Sequence, residues 1–545
     1  MHPIRGGERP TGVNTQSHTH ARSPSVVDGN GTIVARHPVA AVRLSSDRAA
    51  SLARRGLVPS VLATLSAVLF FWRLGASSFF IDEATSLTEA RGSLAHVLSA
   101  VHLHETSPPT YALFLHLWLK LLGSDSELAA RMPSALAAIG LVVAVWYLAS
   151  LLVDPPTALL AGLLTLCAPI VLQYAQQARV YAILMLAGTV TAIAVVKAVQ
   201  QSSGRWLAVS ACAATLTVSL HYIGWFEVAP LAAWVASRKS ISTGWRIGYC
   251  AVLALVGAAW LPELIGQFSI YAHDGYTRSL GAWAGFTQPH ALAVLGAPLY
   301  GRATTPYAGP IGVGILLGTL LLLGSRRARA RLPERDVIIG LAAVPIAAII
   351  VLGLAGKNIV LPRYATIGVP SLLIAVATAM RLLRPRVSIL ASGVVLLAMT
   401  LTVLMSFSAS SAYPNARGVI RLVARRWHAT DFLYPHQLNI GTYLPLAYYA
   451  AGDLPGYNPA LWGDLYSPAF AAAGVARPVG TASFTAAYSR ARARHDRIWI
   501  VADYFGAPPG VAALLPPRYR ALRVTDFVAS ISLRVVLAVP VDASR

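Results

Sequence analysis

The chain has 545 residues, of which 56% are hydrophobic and only 12% are charged, and its formal net charge is +22. This composition excludes an ordinary soluble globular protein and indicates a polytopic membrane protein. The basic residues lie mostly between apolar runs rather than on one face, so they do not indicate a nucleic-acid partner. All three cysteines lie inside apolar runs, which argues against a disulfide framework or a cysteine metal site.

The N-terminal segment differs from everything that follows it. Residues 1–50 are rich in Ser, Thr, His, Gly and Arg and have no apolar periodicity, which predicts a disordered cytoplasmic tail. The segment is too polar for a signal peptide. Arg54 and Arg55 precede the first apolar run, so we expect that run to act as an uncleaved signal anchor with its N-terminus in the cytoplasm.

Long apolar runs predict about eleven transmembrane helices. The runs are 57–74, 132–152, 156–172, 180–199, 206–222, 225–237, 246–262, 309–325, 336–355, 364–380 and 387–407. A further run at 111–122 is short and carries His116 and Lys120. If it crossed the bilayer, the later arginine clusters would lie outside, against the positive-inside rule. We therefore predict a juxtamembrane helix on the outer face at this position.

This topology places the polar ends of several spans on one side of the membrane. The segments predicted to share the outer face are 75–130, 173–179, 221–222, the long loop 263–308, 357–364 and everything after Phe407. The other side carries mostly arginine-rich connectors. Such an asymmetry predicts an outward-facing active site.

The composition changes to that of a mixed soluble domain near Tyr413. Residues 415–427 have helical spacing and are followed by short β-branched or aromatic runs. Those runs are 431–434, 497–501 and 531–537. We predict a transmembrane domain at 51–410 and a small extracytoplasmic α/β domain at 411–545, which covers the outer cavity or contacts an acceptor.

Acidic residues lie just after the first predicted span. In the pair Asp82-Glu83, one carboxylate can deprotonate an acceptor hydroxyl while its neighbour orients a sugar or holds a cation. The structural alternative for Asp82 is a helix N-cap. His104 and Glu105 supply ligand types compatible with a divalent ion, and the alternative is a surface histidine without a metal.

Cationic residues at the predicted outer span ends indicate an anionic ligand such as a lipid phosphate. The candidates for phosphate contacts are Arg131, Arg179, Lys357, Arg363 and Tyr364. Snorkelling of these side chains to the membrane surface is the alternative. Nearby polar residues are candidates for positioning the sugar or the acceptor, namely Gln176, Tyr181, His221 and Tyr222.

Several short motifs occur in a recognisable order. They are DEA at 82–84, SPPTYALFLHLWLKLLG at 107–123, SELAARMPSAL at 126–136, APIVLQYAQQARVYAILM at 168–185, SLHYIGW at 219–225 and LPRYATIGVP at 361–370. In this order the chain resembles the GT-C membrane glycosyltransferases. The resemblance is to bacterial dolichyl-phosphate-mannose protein mannosyltransferase-like proteins, including glycosyltransferase family 39 and the lipid A aminoarabinose transferases.

This resemblance implies an all-α polytopic membrane fold of the GT-C type and a sugar donor linked to a polyprenyl phosphate. It implies Asp82 as general base, Arg179 and Arg363 as phosphate contacts, and Glu105 as the counterpart of an acid that helps to hold a metal. The sequence QQAR at 176–179 departs from the oligosaccharyltransferase pattern, because it has no carboxylate there. A divalent metal ion therefore stays an open cofactor.

The expected function is transfer of a sugar to a hydroxyl of a lipid, glycan or protein acceptor at the outer face of the inner membrane. We find no nucleotide-binding motif, and a lipid-linked donor does not need one. Two alternatives remain. A transporter or flippase of lipid-linked saccharides would place ionisable groups near mid-membrane. A non-catalytic binder would need the arginines but not Asp82.

Overall fold

The computed structural model describes 56–273, 287–300, 308–332, 334–357, 359–408, 414–436, 438, 440–457, 481–504, 506–529 and 531–541. The predicted tail at 1–50 lies outside the described residues. The segment Val58–Arg545 forms one unit of the fold. Within it, a helical bundle is followed by a small sheet with its own helices, and this arrangement confirms the predicted fold class.

The bundle consists of helices that follow one another along the described residues. They are α1 Gly56–Phe71, α2 Ile81–Ala90, α3 Leu94–His104, α4 Thr110–Leu122, α5 Glu127–Leu152, α6 Pro155–Leu166, α7 Pro169–Ala175, α8 Tyr181–Gln200, α9 Gly204–Leu220, α10 Trp225–Ser237, α11 Thr243–His273, α12 Gln288–Tyr300, α13 Ala308–Gly324, α14 Arg326–Arg331, α15 Arg335–Leu354, α16 Val369–Leu382 and α17 Pro385–Ser408. Short 3₁₀ turns at Tyr222–Gly224 and Pro362–Gly368 precede α10 and α16.

Among the described residues, six helices are long and apolar enough to cross a membrane. They are Glu127–Leu152, Tyr181–Gln200, Thr243–Ile270, Asp336–Leu354, Pro362–Leu382 and Pro385–Phe407. The pair α6 and α7, bent by 54°, makes a seventh if it forms one span. These seven coincide with seven of the predicted runs. The runs at α1, α9, α10 and α13 form shorter helices, so the number eleven stays a prediction.

The segment between the first and second predicted spans is helical. Helix α4 covers the run that we expected to be a juxtamembrane helix, and Gly123 ends it in a left-handed conformation with φ 59°. Helix α11 continues through Pro262 to His273, and α12 occupies part of what sequence predicts as the loop 263–308. The extension follows from apolar residues that keep a helical period beyond Pro262.

The described residues of the C-terminal region form four helices and a four-stranded sheet. Its elements are α18 Ala416–Ala424, β1 Phe432–His436, α19 Ile440–Asp453, α20 Thr481–Ala493, β2 Ile498–Tyr504, α21 Val511–Leu514, β3 Tyr519–Phe527 and β4 Ser532–Pro540. The strand order is β1-β2-β4-β3. Strands β1 and β2 are parallel, and β4 is antiparallel to both of its neighbours. Three strands and the first helix coincide with predicted runs.

Helix α2 carries Asp82, and the side chain of Glu83 in its first turn caps its N-terminus. Phe80 is the N-cap residue, and its backbone N–H donates to Glu83 Oε2 at 2.9 Å. Asp82 therefore lies inside the first turn, and the alternative interpretation of Asp82 as the N-cap is wrong. Two carboxylates in this turn also suit the positive end of the helix dipole.

Candidate active site

Glu83 is completely buried and accepts four hydrogen bonds. Arg131 donates to it through Nε at 2.7 Å and Nη2 at 2.9 Å. The backbone N–H groups of Phe80 and Ala178 donate at 2.9 Å and 2.8 Å. A buried carboxylate is tolerated when it is paired and hydrogen-bonded in this way. Glu83 thus joins α2, α5 and the segment after α7.

Arg131 uses its remaining donors on the turn that leads into α2. Its Nη1 donates to the carbonyl oxygens of Leu74 and Ser77 at 3.0 Å and 3.1 Å, and its Nη2 donates to that of Ser78 at 3.0 Å. The side chain is only 1% exposed. We name Glu83, Arg131 and the turn 74–78 the Glu83–Arg131 clamp.

The clamp corrects two expectations. Sequence predicts Glu83 as part of a catalytic pair and Arg131 as a phosphate contact. Each is buried and saturated by protein partners, so neither has a free atom to offer a substrate. Their geometry assigns them to holding the start of α2 in place.

Asp82 faces a different partner from its neighbour. Its Oδ2 accepts from Arg363 Nη1 at 2.8 Å, and the two side chains are 29% and 26% exposed. The ring of Tyr364 lies 5.3 Å from the guanidinium carbon of Arg363, a cation–π distance. This ion pair is therefore only half-buried, and a ligand can reach it.

Arg179 lies beside the Asp82 pair at the end of the segment after α7. Its Nη1 donates to the carbonyl oxygen of Asp82 at 3.1 Å, to Ser86 Oγ at 2.6 Å and to Glu105 Oε1 at 3.1 Å. We name Asp82, Arg179, Arg363 and Glu105 the open ion group. Sequence predicts all four as site residues, and the fold brings them together from three separate parts of the chain.

Two donors in the open ion group have no partner. Among the described residues, no acceptor lies within hydrogen-bond reach of Arg179 Nε or Arg363 Nε, although both atoms are buried. An unpaired buried donor costs about 1–3 kcal/mol. An anion with several oxygens, such as a phosphate, offers acceptors of the kind that these donors lack.

Three aromatic residues that sequence predicts for the site also lie together. The His221 ring is 6.0 Å from that of Tyr181 and 5.9 Å from that of Tyr364. His221 Nδ1 accepts from the backbone N–H of Ile223 at 3.3 Å. Because Nδ1 is an acceptor, this bond assigns the proton of a neutral ring to Nε2.

Other predicted residues lie apart from the open ion group. The Gln176 amide donates to the carbonyl oxygen of Trp72 at 2.8 Å, which ties it to the turn after α1. The Tyr222 hydroxyl donates to Gln267 Oε1 at 3.3 Å in α11. Lys357 is exposed, and within the described ranges no hydrogen bond or ion pair joins its ammonium to the group. His104 ends α3, and its side chain lies outside the described residues.

A cleft adjoins the open ion group and has an empty volume of about 330 Å³. It is lined by Ser86, Glu89, Val101, Glu105, Ser107, Pro108, Tyr111, Ala112, Arg179, Val180 and His221. We name it the Glu89 cleft. Sequence reasoning missed Ser86 and Glu89, although they follow Asp82 at i+4 and i+7 and so lie on the same helix face.

Glu89 is the unusual carboxylate of this cleft. It is 4% exposed, and burial, followed by the charge of Glu105, raises its pKa from 4.5 to about 9. Arg179 lowers that pKa, but less strongly. At neutral pH the side chain is therefore a neutral carboxylic acid, which can donate one hydrogen bond as well as accept.

The residues around Glu105 do not fit the metal that the resemblance implies. Arg179 Nη1 occupies Glu105 Oε1 at 3.1 Å, and this guanidinium charge opposes a cation. No cluster of three or more His, Cys, Asp or Glu side chains suited to a metal ion occurs in the part of the chain that the structure describes. Metal sites need several ligands held around one ion, and no such set is found among the described residues.

Comparison with known proteins assigns the chain to a structural type. Residues 106–262 match the family described as dolichyl-phosphate-mannose-protein mannosyltransferase. ArnT from Cupriavidus metallidurans in the apo state has a TM-score of 0.53 at 15% identity, covering 89% of this chain and 98% of ArnT. The chain resembles the GT-C membrane glycosyltransferases. The family match over residues 106–262 supports a membrane glycosyltransferase, and the likeness to ArnT shows that the chain shares its fold.

Two further solved structures are similar to the chain. ArnT bound to undecaprenyl phosphate has a TM-score of 0.52 at 15% identity, covering 88% of this chain and 97% of ArnT. The Archaeoglobus fulgidus oligosaccharyltransferase has a lower score of 0.47 at 12% identity, covering 82% of this chain and 69% of that protein. No curated protein sequence matches the chain. The resemblance predicted from the short motifs is thereby confirmed.

Proposed function

We propose that this GT-C glycosyltransferase moves a sugar from a polyprenyl-phosphate-linked donor to an acceptor hydroxyl, with Asp82 as general base. One observation carries the proposal: the half-exposed carboxylate of Asp82 pairs with Arg363, Arg179 binds the backbone of the same residue, and each arginine has an unpaired buried Nε donor. That arrangement suits a substrate with a phosphate next to a reacting hydroxyl. ArnT, whose fold the chain shares, has been solved with undecaprenyl phosphate bound.

The chemistry follows from these positions. The acceptor oxygen attacks the anomeric carbon, and the bond from that carbon to the phosphate oxygen breaks. Asp82 takes the proton of the attacking hydroxyl, while Arg179 and Arg363 stabilise the charge that develops on the leaving lipid phosphate. A single displacement inverts the anomeric configuration.

In the structure, the side chains of Asp82 and Arg363 form an ion pair with each other. Arg363 Nη1 engages Asp82 Oδ2 at 2.8 Å and so occupies the oxygen that would accept the proton. When the donor phosphate engages Arg363, the guanidinium is shared and Asp82 Oδ2 becomes available to the acceptor. Donor binding thus prepares the base, and the acceptor follows.

The proposal includes the arrangement of the chain in the cell membrane. We place a cytoplasmic tail at 1–50, a transmembrane domain at 51–410 and an extracytoplasmic domain at 411–545, with the open ion group on the outer face. The acceptor is a lipid, a glycan or a protein. Six apolar helices and a bent pair in the described residues support insertion in the membrane.

The test is transfer of radiolabelled sugar by membranes that contain the wild type, Asp82→Asn or Lys357→Ala. The donors are undecaprenyl phosphates that carry mannose, glucose or arabinose. Removing a general base costs roughly 10²–10⁴-fold in rate, so we expect Asp82→Asn to lose transfer by that factor. Lys357→Ala removes an exposed cation outside the open ion group, so this variant should keep the transfer activity of the wild type.

Normal transfer by a correctly inserted Asp82→Asn protein would remove Asp82 from the role of base. If every donor bound but none was transferred by the wild type, the chain would be a binder or a flippase of lipid-linked saccharides. Equal losses in Asp82→Asn and Lys357→Ala would indicate a general loss of folded protein, which thermal unfolding of both variants would reveal.

A further inference from the structure

Glu89 lies where a substrate of the open ion group would extend. It is two turns beyond Asp82 on the same face of α2, and Ser86 between them accepts from Arg179 at 2.6 Å. Arg179 also donates to the carbonyl oxygen of Asp82 and lines the Glu89 cleft. The cleft is thus continuous with the site of the proposed chemistry.

The Glu89 carboxyl group lacks a partner in this cleft. Its Oε1 is buried, and no described residue forms a hydrogen bond with it. A buried carboxyl oxygen without a partner is costly, by about 1–3 kcal/mol, and native proteins rarely leave one unless a ligand or water completes it. The side chain is 4% exposed, so bulk solvent does not satisfy it.

The other walls of the cleft combine apolar surface with hydroxyl and imidazole groups. Val101, Pro108 and Ala112 provide apolar contacts, whereas Ser107 and Tyr111 add polar groups. A pyranose ring has apolar C–H faces and a rim of hydroxyls, so it matches such a lining.

We propose that the Glu89 cleft is the subsite for the transferred sugar, and that the Glu89 carboxyl group recognises one of the sugar's hydroxyls. This inference rests on the proposed function, because the phosphate at Arg179 and Arg363 places the sugar beside the cleft. Glu89 is a specificity-determining residue in this scheme. It takes no part in the transfer of the proton.

The protonation of the cleft agrees with recognition of a hydroxyl. A neutral Glu89 offers both an O–H donor and an acceptor, and a sugar hydroxyl requires both. His221, whose Nδ1 is engaged by Ile223, adds an N–H donor to the lining. A cation is a poor alternative occupant, because Arg179 lines the same cleft.

The experiment measures lipid binding to the purified full chain and needs two variants. Glu89→Gln is isosteric and keeps a donor and an acceptor, whereas Glu89→Leu keeps the approximate volume and removes both. The probes are undecaprenyl phosphate alone and undecaprenyl phosphate that carries mannose, glucose or arabinose. The wild type should bind at least one sugar-carrying probe more tightly than the bare lipid.

For that probe we expect Glu89→Leu to weaken binding about tenfold and to raise the KM for the donor more than it lowers kcat. Glu89→Gln should stay within about threefold of the wild type, because one hydrogen bond is replaced by another. Both variants should bind bare undecaprenyl phosphate as the wild type does. This last control separates loss of the sugar subsite from loss of the fold.

Equal weakening of the bare lipid and the sugar-carrying lipid by Glu89→Leu would overturn the subsite, because Glu89 would then act on the fold or on the phosphate. A loss in Glu89→Gln as large as that in Glu89→Leu would also overturn it and would indicate an ionised carboxylate. If the wild type bound no probe at all, the proposed function would fail together with the subsite. Sugar-dependent binding that Glu89→Leu leaves unchanged would overturn the subsite alone.

Discussion

The Glu83–Arg131 clamp and the open ion group are built from the same residue types but differ in completeness. In the clamp, the paired side chains are 1% and 2% exposed and every oxygen of the acid is used. In the open ion group, Asp82 and Arg363 are 29% and 26% exposed, and Arg363 keeps an unpaired Nε. Asp82 and Glu83 are adjacent in sequence, yet they belong to opposite cases.

The difference shows how one helix turn can hold a structural acid and a reactive acid. Successive residues of a helix point about 100° apart, so Glu83 faces α5 while Asp82 faces the 3₁₀ turn that carries Arg363. The clamp fixes the turn before α2 and therefore fixes Asp82. A completed pair gives stability and positioning, whereas an incomplete one leaves atoms for a ligand.

The largest effect should come from breaking the clamp. Arg131→Met leaves the buried Glu83 without its charged partner, which costs about 3–5 kcal/mol in comparable pairs. We expect a strong loss of folded protein in membranes and a large fall in Tm. Thermal unfolding of the purified protein measures it.

The matched control for the clamp is Arg363→Gln, which removes an arginine from the half-exposed pair. Partly solvated ion pairs contribute about 0–1 kcal/mol, so the Tm should hardly change while donor binding is lost. Equal destabilisation by Arg131→Met and Arg363→Gln would contradict the division into two kinds of pair. If the Arg131→Met protein were stable but inactive, Arg131 would again be a candidate for binding the phosphate.

Sequence alone indicates the membrane fold and the members of the open ion group. Long apolar runs give the helices, and polar residues at their ends give Asp82, Glu105, Arg179 and Arg363 as candidates. The motif order adds the resemblance that the family match and the fold confirm. The prediction of the membrane fold succeeds because hydrophobic length acts locally along the chain, whereas the roles of the four residues stay predictions.

The sequence does not show which side chains pair with each other in the fold. Glu83 and Arg131 have the composition of site residues, and only their three-dimensional saturation reveals the clamp. Glu89 was overlooked because its burial depends on α3 and α4 as well as on its own helix. Strand β3 was missed because exposed charged residues such as Arg520 and Arg523 interrupt its apolar pattern.

Contacts of Tyr449 and Arg417 link the turn of the clamp to the C-terminal region. The Tyr449 hydroxyl in α19 accepts from the backbone N–H of Phe79 at 2.8 Å and donates to Glu127 Oε1 at 2.6 Å. Arg417 in α18 pairs with the other oxygen of Glu127 at 2.8 Å and donates to the carbonyl oxygen of Gly75 at 3.1 Å. The C-terminal region thus helps to hold the turn before α2.

An intermediate effect should follow from Tyr449→Phe. The ring keeps its stacking on Phe79, but the buried N–H of Phe79 and an oxygen of Glu127 lose their partner. Leaving such groups unpaired costs about 1–3 kcal/mol, so the Tm should fall by less than in Arg131→Met. Tyr488→Phe in α20 is a comparison variant, because the half-buried Tyr488 lies in a separate aromatic cluster with Tyr434. A loss of the same size in both variants would deny the link between α19 and the clamp.

The remaining effect is a pH dependence of stability that comes from Glu89 in the Glu89 cleft. Burial and Glu105 raise its pKa from 4.5 to about 9, so the folded chain keeps a proton that the unfolded chain releases above pH 4.5. Stability therefore falls as pH rises from 4.5 towards 9, by at most about 1.4 kcal/mol per pH unit. Glu89→Gln has no proton to lose, so its Tm should exceed that of the wild type by a margin that grows from pH 5 to pH 8. Parallel curves of Tm against pH for the two proteins would mean that Glu89 is ionised in the cleft. Glu89 would then resemble the fully hydrogen-bonded Glu83 rather than an acid that is available to a ligand.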